Sequence, residues 1–335
     1  MDSIETQIKR LLKSQTVDDD ETDNEIICDY SLTHQLKELA AKGVETSMTG
    51  EVTPVIGETV TYIAAAVVVN EHNEVLMMQE AKSKCAGQWY LPAGRVEPNE
   101  QIAEAVKREV AEETGLDFEP TTLLMVECTS GIWFRFTFTG RVVGGQLKSV
   151  AQADKESLQA QWVSDIGSLS LRSNDCLRLI EIGKQYKQNR DVWHRSQLVC
   201  IRSHNQMLMR VVCAIRRKEN NRLHILVSEK TSPHIPVCEI SPQRSVHAAL
   251  KRFMQNIFKD NQPEHKPVGV LTVEHNGIPE RQHDGLCLTI LVIFRVPLEE
   301  AVPTNDYTWL QVEPELEGLI ISRTAKYKTV NLFNK

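Results

Sequence analysis

The sequence predicts an α/β protein in which one α/β/α sandwich is used twice. Apolar, β-branched runs alternate with amphipathic helical segments, which favours sheets covered by helices. The second half repeats the order of the first. At 335 residues the chain is long enough for two domains, since domains usually span about 100 to 200 residues. Its 41% hydrophobic and 25% charged residues are ordinary for a globular protein.

The net charge of the chain limits the kinds of molecule that the protein is expected to bind. A formal net charge of -7 argues against nonspecific binding to nucleic acid, which needs a basic surface. We therefore expect no stable nucleic-acid complex. A phosphorylated small molecule remains a suitable substrate because bound metal ions supply the positive charge themselves. The sequence gives no indication of protein partners.

Cysteine spacing and the N-terminus bear on the compartment. The eight cysteines are scattered without a Cys-x-x-Cys pair, so we expect reduced and mostly buried thiols. The first residues contain acidic side chains and no uninterrupted apolar run, which is unlike a signal peptide or a membrane span. A cytoplasmic protein without membrane contact is the expectation.

Residues 1–58 read as a separate N-terminal segment. An acidic run at 18–25 is typical of a linker, and a second short helix would end at Gly43. Both helices could dock on the body of the protein or bind a partner, and docking or mobility is the favoured expectation. The first helix is predicted from apolar residues at helical spacing, namely Ile4, Ile8, Leu11 and Leu12.

Residues 59–192 are predicted to form the first sandwich. Two apolar runs flank Asn70–Asn73 and indicate a hairpin. Later strands are broken at Ser130-Gly131 and Gly144-Gly145, Trp162-Val163 lies in another short strand, and residues 173–188 have the period of a closing helix.

Residues 193–335 follow the same order with an offset of 144. Pro236 falls under Pro92 (236 − 92 = 144), and Lys251-Arg252 falls under Lys107-Arg108. Matched order and spacing over most of each half indicate a duplicated fold rather than a coincidence of short patterns.

A helix in the first half concentrates carboxylates. Glu109, Glu112 and Glu113 stand at i, i+3 and i+4, so they share one face. Their mutual repulsion favours a bound cation, and hard divalent ions such as Mg²⁺ or Mn²⁺ prefer carboxylate oxygens. The alternative without a functional role is a solvated acidic helix with ion pairs to lysine or arginine. A separate apolar stripe would bury against the sheet, formed by Ile102, Val106 and Val110.

The frame around these carboxylates is a specific motif. It consists of glycine, five residues, glutamate, seven residues, Arg-Glu, an aliphatic residue, any residue, Glu-Glu, any residue, glycine and an aliphatic residue. Seven strictly specified positions match at a given start with a chance roughly below 10⁻⁸ on average residue usage. This stretch resembles the signature of the Nudix hydrolases without departure, at Gly94, Glu100, Arg108, Glu109, Val110, Glu112, Glu113, Gly115 and Leu116.

The resemblance implies a Nudix α/β/α sandwich whose loop-helix-loop binds Mg²⁺ or Mn²⁺ and hydrolyses a nucleoside diphosphate linked to another group. Glu112 would help to deprotonate the attacking water, and Arg108 and Glu100 would hold the loop to the helix and orient the ligands. The implied metal ligands are Glu109, Glu112 and Glu113, completed by the carbonyl of either Ala93 or Gly94.

Segments that extend beyond the motif resemble family members that act on oxidised guanine nucleotides. They include "QEAKSKCAGQWYLPAGRVEPNE" and "ADKESLQAQW". The implied reaction converts 8-oxo-dGDP, 8-oxo-GDP and related purine diphosphates to the monophosphate and phosphate, which would sanitise the nucleotide pool. Two alternatives stay open: hydrolysis of another diphosphate, such as ADP-ribose, a coenzyme, a diphosphoinositol or capped RNA, and a non-hydrolytic nucleotide-binding regulator.

Residues that could read a purine are less distinctive. Arg135 could meet a phosphate or a backbone carbonyl, and Glu156 stands where some family members carry an extra acidic group, although a plain surface glutamate is as good a reading. Aromatic side chains on a candidate strand are expected mainly to pack in the core, with Trp133 facing one side and Phe134, Phe136 and Phe138 facing the other.

The second half lacks every metal carboxylate. Two apolar residues and an amide cannot hold magnesium, so we expect a degenerate Nudix-like domain without catalytic activity, retained for packing, substrate closure or binding. At the offset of 144, the positions of Gly94, Glu100, Glu109, Glu112 and Glu113 are taken by Cys238, Arg244, Phe253, Asn256 and Ile257.

Overall fold

The computed structural model describes residues 3–17, 26–44, 52–194 and 196–334. The predicted acidic linker at 18–25 lies outside these ranges. None of the helices within them has both the length and the apolar character that a bilayer crossing requires.

The first half contains the predicted strands and helices. At the hairpin turn, Asn70 Oδ1 accepts hydrogen bonds from the backbone N–H groups of His72 and Glu74, at 2.9 and 3.0 Å, which fixes the turn by side-chain contacts. The elements are β1 (Thr61–Ala66), β2 (Val75–Glu80), β3 (Trp89–Tyr90), β4 (Ala93–Arg95), α3 (Ile102–Thr114), β5 (Leu116–Ser130), β6 (Trp133–Gly145), β7 (Ser157–Val163) and α4 (Asp175–Gln188).

These elements form the predicted α/β/α sandwich. One sheet has the order β14-β5-β6-β1-β4, in which β14 (Asn331–Asn334) comes from the end of the chain, and a second has the order β3-β2-β7. Helix α3 buries its apolar stripe in the same core as Phe134, Phe136 and Phe138, whereas α4 packs with Val67 and Met125 in another core. The prediction that the three phenylalanines pack in the core is confirmed, and Trp133 is half-buried.

The second half repeats this arrangement. Strand β8 runs parallel to β12 and antiparallel to β10, as β1 does with β6 and β4. Six of its seven strands, all except the last, join into a single sheet. The elements are β8 (Met207–Arg216), β9 (Leu223–Ser228), β10 (Val237–Glu239), α5 (Val246–Phe258), β11 (His265–Glu274), β12 (Leu286–Phe294), β13 (Tyr307–Gln311), α6 (Pro314–Thr324) and β14 (Asn331–Asn334).

Packing and hydrogen bonds join the two repeats, in addition to the polypeptide connection. One hydrophobic core contains buried residues of both, and Tyr62 Oη donates a hydrogen bond to the Asp284 carbonyl at 2.8 Å. Strand β14 pairs with β5, so the last strand of the chain extends the sheet of the first repeat. The boundaries 1–58, 59–192 and 193–335 therefore stay a prediction.

Both short N-terminal helices dock on the second repeat. Helix α1 (Ile4–Leu12) buries Ile8, Leu11 and Leu12 in a core formed with that repeat. Helix α2 (Leu32–Ala41) is followed by Gly43, whose φ of 72° is the left-handed conformation expected of a helix stop.

Candidate active site

Helix α3 is held rigidly beneath its carboxylates. Ile102, Val106 and Val110 are fully buried, as predicted. The helix ends at Gly115, whose φ is 75°, and a β-carbon at this position would lie 2.3 Å from the carbonyl oxygen of Gln146. Both the backbone conformation and the close approach require glycine here. The acidic face is therefore presented from a fixed element.

Arg108 joins the loop to the helix. Its Nε lies 2.7 Å from Glu100 Oε1 and its Nη2 lies 2.9 Å from Glu100 Oε2, a two-point ion pair. Its Nη1 donates to Glu109 at 2.8 Å and to Glu112 at 3.2 Å, and its Nη2 also donates to the Arg95 carbonyl. One guanidinium thus organises three carboxylates and the backbone of β4.

The three carboxylates differ in environment. Glu109 and Glu113 are buried, whereas the side chain of Glu112 is 45% exposed. Burial raises the pKa of Glu109, although the Arg108 guanidinium opposes this shift. Burial also raises the pKa of Glu113 well above its usual range. Glu112 is therefore the carboxylate most open to water.

The carboxylates do not close into a ready metal cage. Arg108 holds Glu109 and Glu112, while Glu113 Oε2 accepts the Ala93 N–H at 2.8 Å. Within the described ranges, no group of three or more His, Cys, Asp and Glu side chains is placed to hold an ion. Gly94 nevertheless leaves a cradle at this point, because a β-carbon there would lie only 2.0 Å from Glu109 Oε1.

The two candidate carbonyl ligands face opposite ways. Strand β4 is antiparallel to β1, and Gly94 is paired with Ala64. Successive residues of a strand direct their backbone N–H and carbonyl groups to opposite sides. Gly94 therefore directs its carbonyl toward β1. Ala93 directs its N–H and carbonyl to the other side, where Glu113 lies. The flanking bonds that set this alternation are Ala66 N–H to Pro92 O and Val96 N–H to Tyr62 O, both 2.9 Å.

Glu80 is a fourth acidic residue that the motif does not contain. It ends β2, is fully buried, and accepts a hydrogen bond from Arg172 through Oε1. Its Oε2 has no hydrogen-bond partner within the described structure. Burial is the main cause of the raised pKa of Glu113, and the charges of Glu109 and, to a smaller extent, of Glu80 raise it further. The sequence feature that could have identified Glu80 is its position as a glutamate at the end of an apolar strand.

Arg135 has a different environment from either expectation. Its guanidinium lies 2.5 and 2.9 Å from the two Glu127 carboxylate oxygens and also donates to Tyr90 Oη and Asp175 Oδ2. Its side chain is only 4% exposed. A buried guanidinium requires paired counter-charge, which Glu127 and Asp175 provide, so it contacts carboxylates instead of a backbone carbonyl or a phosphate. Glu156 lies on a loop, 3.5 Å from Lys155.

The equivalent face of the second repeat is covered by residues 29–41. Phe253 stacks on Tyr30 with ring centroids 6.1 Å apart, and Asn256 donates to Glu38 at 3.0 Å. Leu32 and Gln35 both donate to Glu239 on β10. The chain itself therefore occupies the place at which the first repeat presents its carboxylates.

Comparison with known proteins identifies the family of this chain. Residues 60–164 match the NUDIX domain family. The 8-oxo-dGDP phosphatase NUDT18 of Danio rerio is 36% identical over 305 residues, which cover 86% of this chain and 92% of the relative. The human protein of that name is 36% identical over 79% of this chain and 84% of its own length. Putative nudix hydrolase 1 of Caenorhabditis elegans is 41% identical over 39% of this chain and 37% of its own. The chain belongs to the Nudix hydrolase family.

Proposed function

We propose that the first repeat hydrolyses oxidised purine nucleoside diphosphates, including 8-oxo-dGDP and 8-oxo-GDP, to the monophosphate and phosphate. The observation that carries the proposal is 36% identity to an 8-oxo-dGDP phosphatase over 92% of that relative, in a chain whose Nudix carboxylates are all present. Acting on the free nucleotide pool, the enzyme would work in the cytoplasm and prevent oxidised bases from reaching the triphosphate level.

The residues present fit a divalent cation, which Nudix hydrolases generally use. The donors are of the hard oxygen type that such an ion prefers: Glu109 lies against Gly94, Glu113 accepts the Ala93 N–H, and one buried oxygen of Glu80 has no hydrogen-bond partner within the described residues. Mg²⁺ or Mn²⁺ would be held by Glu109, Glu112 and Glu113. Of the two backbone candidates, the Ala93 carbonyl is favoured over that of Gly94 because it lies on the side of Glu113. The ion, when bound, supplies positive charge to the phosphates and lowers the pKa of water.

The protein side chains carry the remaining steps. Glu112, the most exposed of the three, accepts a proton from the attacking water through its carboxylate. The water oxygen forms a bond to the terminal phosphorus, and the bond from that phosphorus to the bridging oxygen breaks. Arg108 and Glu100 keep Glu109 and Glu112 oriented throughout, so that little reorganisation is needed during the reaction.

Product analysis tests the proposal directly. Purified full-length protein is incubated with 8-oxo-dGDP and Mg²⁺, with dGDP, ADP-ribose and capped RNA at equal concentrations in parallel. The expected result is release of phosphate and 8-oxo-dGMP, faster than turnover of the other three, and loss of this activity in Glu112→Gln. Faster turnover of ADP-ribose would overturn the substrate assignment, and no turnover of any compound would favour a binding module.

A further inference from the structure

A loop of the second repeat reaches the acidic motif of the first. Residues 275–284, between β11 and β12, contact residues 99–101, which lead from β4 into α3. Asn99 and Glu280 exchange two hydrogen bonds: the Glu280 N–H donates to Asn99 Oδ1 at 2.8 Å, and Asn99 Nδ2 donates to Glu280 Oε2 at 3.0 Å. Gln101 also donates to Asn276, at 3.4 Å. The repeats therefore meet at the loop that carries Glu100.

Gly277 makes the closest approach in this contact. A β-carbon at Gly277 would lie 2.7 Å from the carbonyl oxygen of Glu100 and 2.9 Å from the His275 ring. Its φ of 74° also favours glycine. The backbone of the second repeat is thus packed directly on the backbone of Glu100.

Two side chains of the motif loop, those of Asn99 and Gln101, form their hydrogen bonds with the second repeat. Asn99 is exposed and left-handed, with a φ of 60°, and Gln101 provides no side-chain cap to helix α3. Within the loop, the Glu97 N–H donates to Glu100 Oε2 and the Glu100 N–H donates to the Glu97 carbonyl, and Arg108 on α3 holds the Glu100 carboxylate. Such a turn gains orientation from contacts with a packed neighbour.

We infer that residues 275–284 are a positioning element for the acidic site, and that the repeat without carboxylates is needed for full activity of the other. The route is a continuous set of contacts: Glu280 and Gly277 hold the loop at Asn99 and Glu100, Glu100 holds Arg108 at two points, and Arg108 holds Glu109 and Glu112. The effect on catalysis rests on the proposed function, whereas the effect on the loop and its metal affinity does not.

Variants on both sides of the contact test the inference in the full-length protein. Asn99→Gly removes both bonds to Glu280 without straining the left-handed backbone, and Glu280→Ala removes one of them from the opposite repeat. Asn73→Gly is the matched control, because Asn73 is also exposed and left-handed, with a φ of 60°, on the distant β1–β2 turn. Gly277→Ala, controlled by Gly318→Ala with open space around its β-carbon, tests the backbone approach.

The readouts separate positioning from loss of fold. Hydrogen exchange of residues 97–101 should become faster in Asn99→Gly and Glu280→Ala, and Mn²⁺ affinity measured by electron paramagnetic resonance should fall about 10-fold, at the lower end of the effect of residues that support metal ligands. The double variant Asn99→Gly/Glu280→Ala should exchange no faster and bind Mn²⁺ no more weakly than Asn99→Gly alone, because Asn99→Gly already removes both bonds. kcat should fall with KM nearly unchanged, and the controls should match wild type.

Wild-type exchange and Mn²⁺ affinity in both variants would overturn the inference. Failure of the proposed function would look different: wild type would leave 8-oxo-dGDP intact, while loop exchange still responded to Asn99→Gly and Glu280→Ala. If Gly277→Ala fails to fold, the results for Asn99→Gly and Glu280→Ala decide whether the loop positions the site.

Discussion

His234 Nε2 lies 3.1 Å from Asp29 Oδ2, and this pair of a half-buried histidine and a buried carboxylate anchors the N-terminal segment to the second repeat. Asp29 also accepts hydrogen bonds from Ser228 and from the Val237 N–H. Residues 29–41 cover the face of α5 from this anchor onward. Their docking is thus linked to a group that titrates near neutral pH.

The pair predicts a pH-dependent contribution to stability. Burial is the largest single influence on the pKa of His234 and lowers it, and the charge of Lys230 also opposes protonation. The hydrogen bonds with Asp29 and with the Ser232 carbonyl, together with the charge of Asp29, outweigh both and raise the pKa above its usual value. The stabilisation is fully present below the unfolded pKa of about 6.5 and is lost as pH rises through the folded pKa. Replacing His234 by glutamine should therefore lower the free energy of unfolding by roughly 1 kcal/mol at pH 6 and by less at pH 9.

Urea unfolding of wild type and His234→Gln across this pH range measures the difference. His72→Gln, on an exposed turn, should follow wild type at every pH. A difference between His234→Gln and wild type that stayed constant from pH 6 to 9 would refute the linkage.

Gly94→Ala should impair the site through a steric contact. The new methyl group would lie within 2.2 Å of both carboxylate oxygens of Glu109, so either this side chain or strand β4 must shift. We expect kcat/KM to fall by roughly 10- to 100-fold, as for loss of groups that orient metal ligands, with the protein still folded. Gly318→Ala, which meets no atom within 4 Å, is the control. Full activity in Gly94→Ala would show that Glu109 is not held where catalysis needs it.

Glu112→Gln and Glu113→Gln should both remove most turnover but differ in stability. Each deletes a charge at nearly constant shape. Because burial raises the pKa of Glu113, the neutral amide should stabilise the metal-free protein at pH 7, whereas Glu112 is half-exposed and its replacement should have little effect. Thermal unfolding in EDTA and turnover of 8-oxo-dGDP test the two effects.

Glu104→Gln provides the control on the same helix. Glu104 is exposed and pairs with Lys107 at 2.7 Å, away from the cluster around Arg108. It should keep both activity and stability. Undiminished turnover in both Glu112→Gln and Glu113→Gln would remove the site assignment.

Local pattern explains how much of the fold could be predicted. The apolar stripe of α3, the turn at Asn70 and the helix stop at Gly43 depend on neighbours within a few residues, and the structure contains all three. Duplication was also visible, because order and spacing survive where individual residues have changed.

Long-range contacts explain what could not be predicted. Glu80 is joined to the site by folding of β2 beside α3, and the pairing of Asn99 with Glu280 connects positions 181 residues apart. Arg135 was open to two partners from its sequence alone, whereas its neighbours across the sheet and on α4 supplied carboxylates instead. Such partners are set by tertiary packing, which periodicity does not encode.

The second repeat should resist conversion into an active site. In the triple variant Phe253→Glu, Asn256→Glu and Ile257→Glu, two of the carboxylates would replace fully buried apolar side chains. Burying unpaired charge and losing the Phe253 packing should cost at least about 3 kcal/mol of unfolding free energy. Asn256→Glu alone would place a carboxylate beside Glu38, which now accepts a hydrogen bond from the Asn256 amide.

Lys251→Glu, exposed on the same helix, is the control for the triple variant. No activity should appear, because Cys238 and Arg244 still occupy the positions of Gly94 and Glu100 and residues 29–41 cover the face. A stable triple variant that gained turnover when the first site was inactivated by Glu112→Gln would contradict this account.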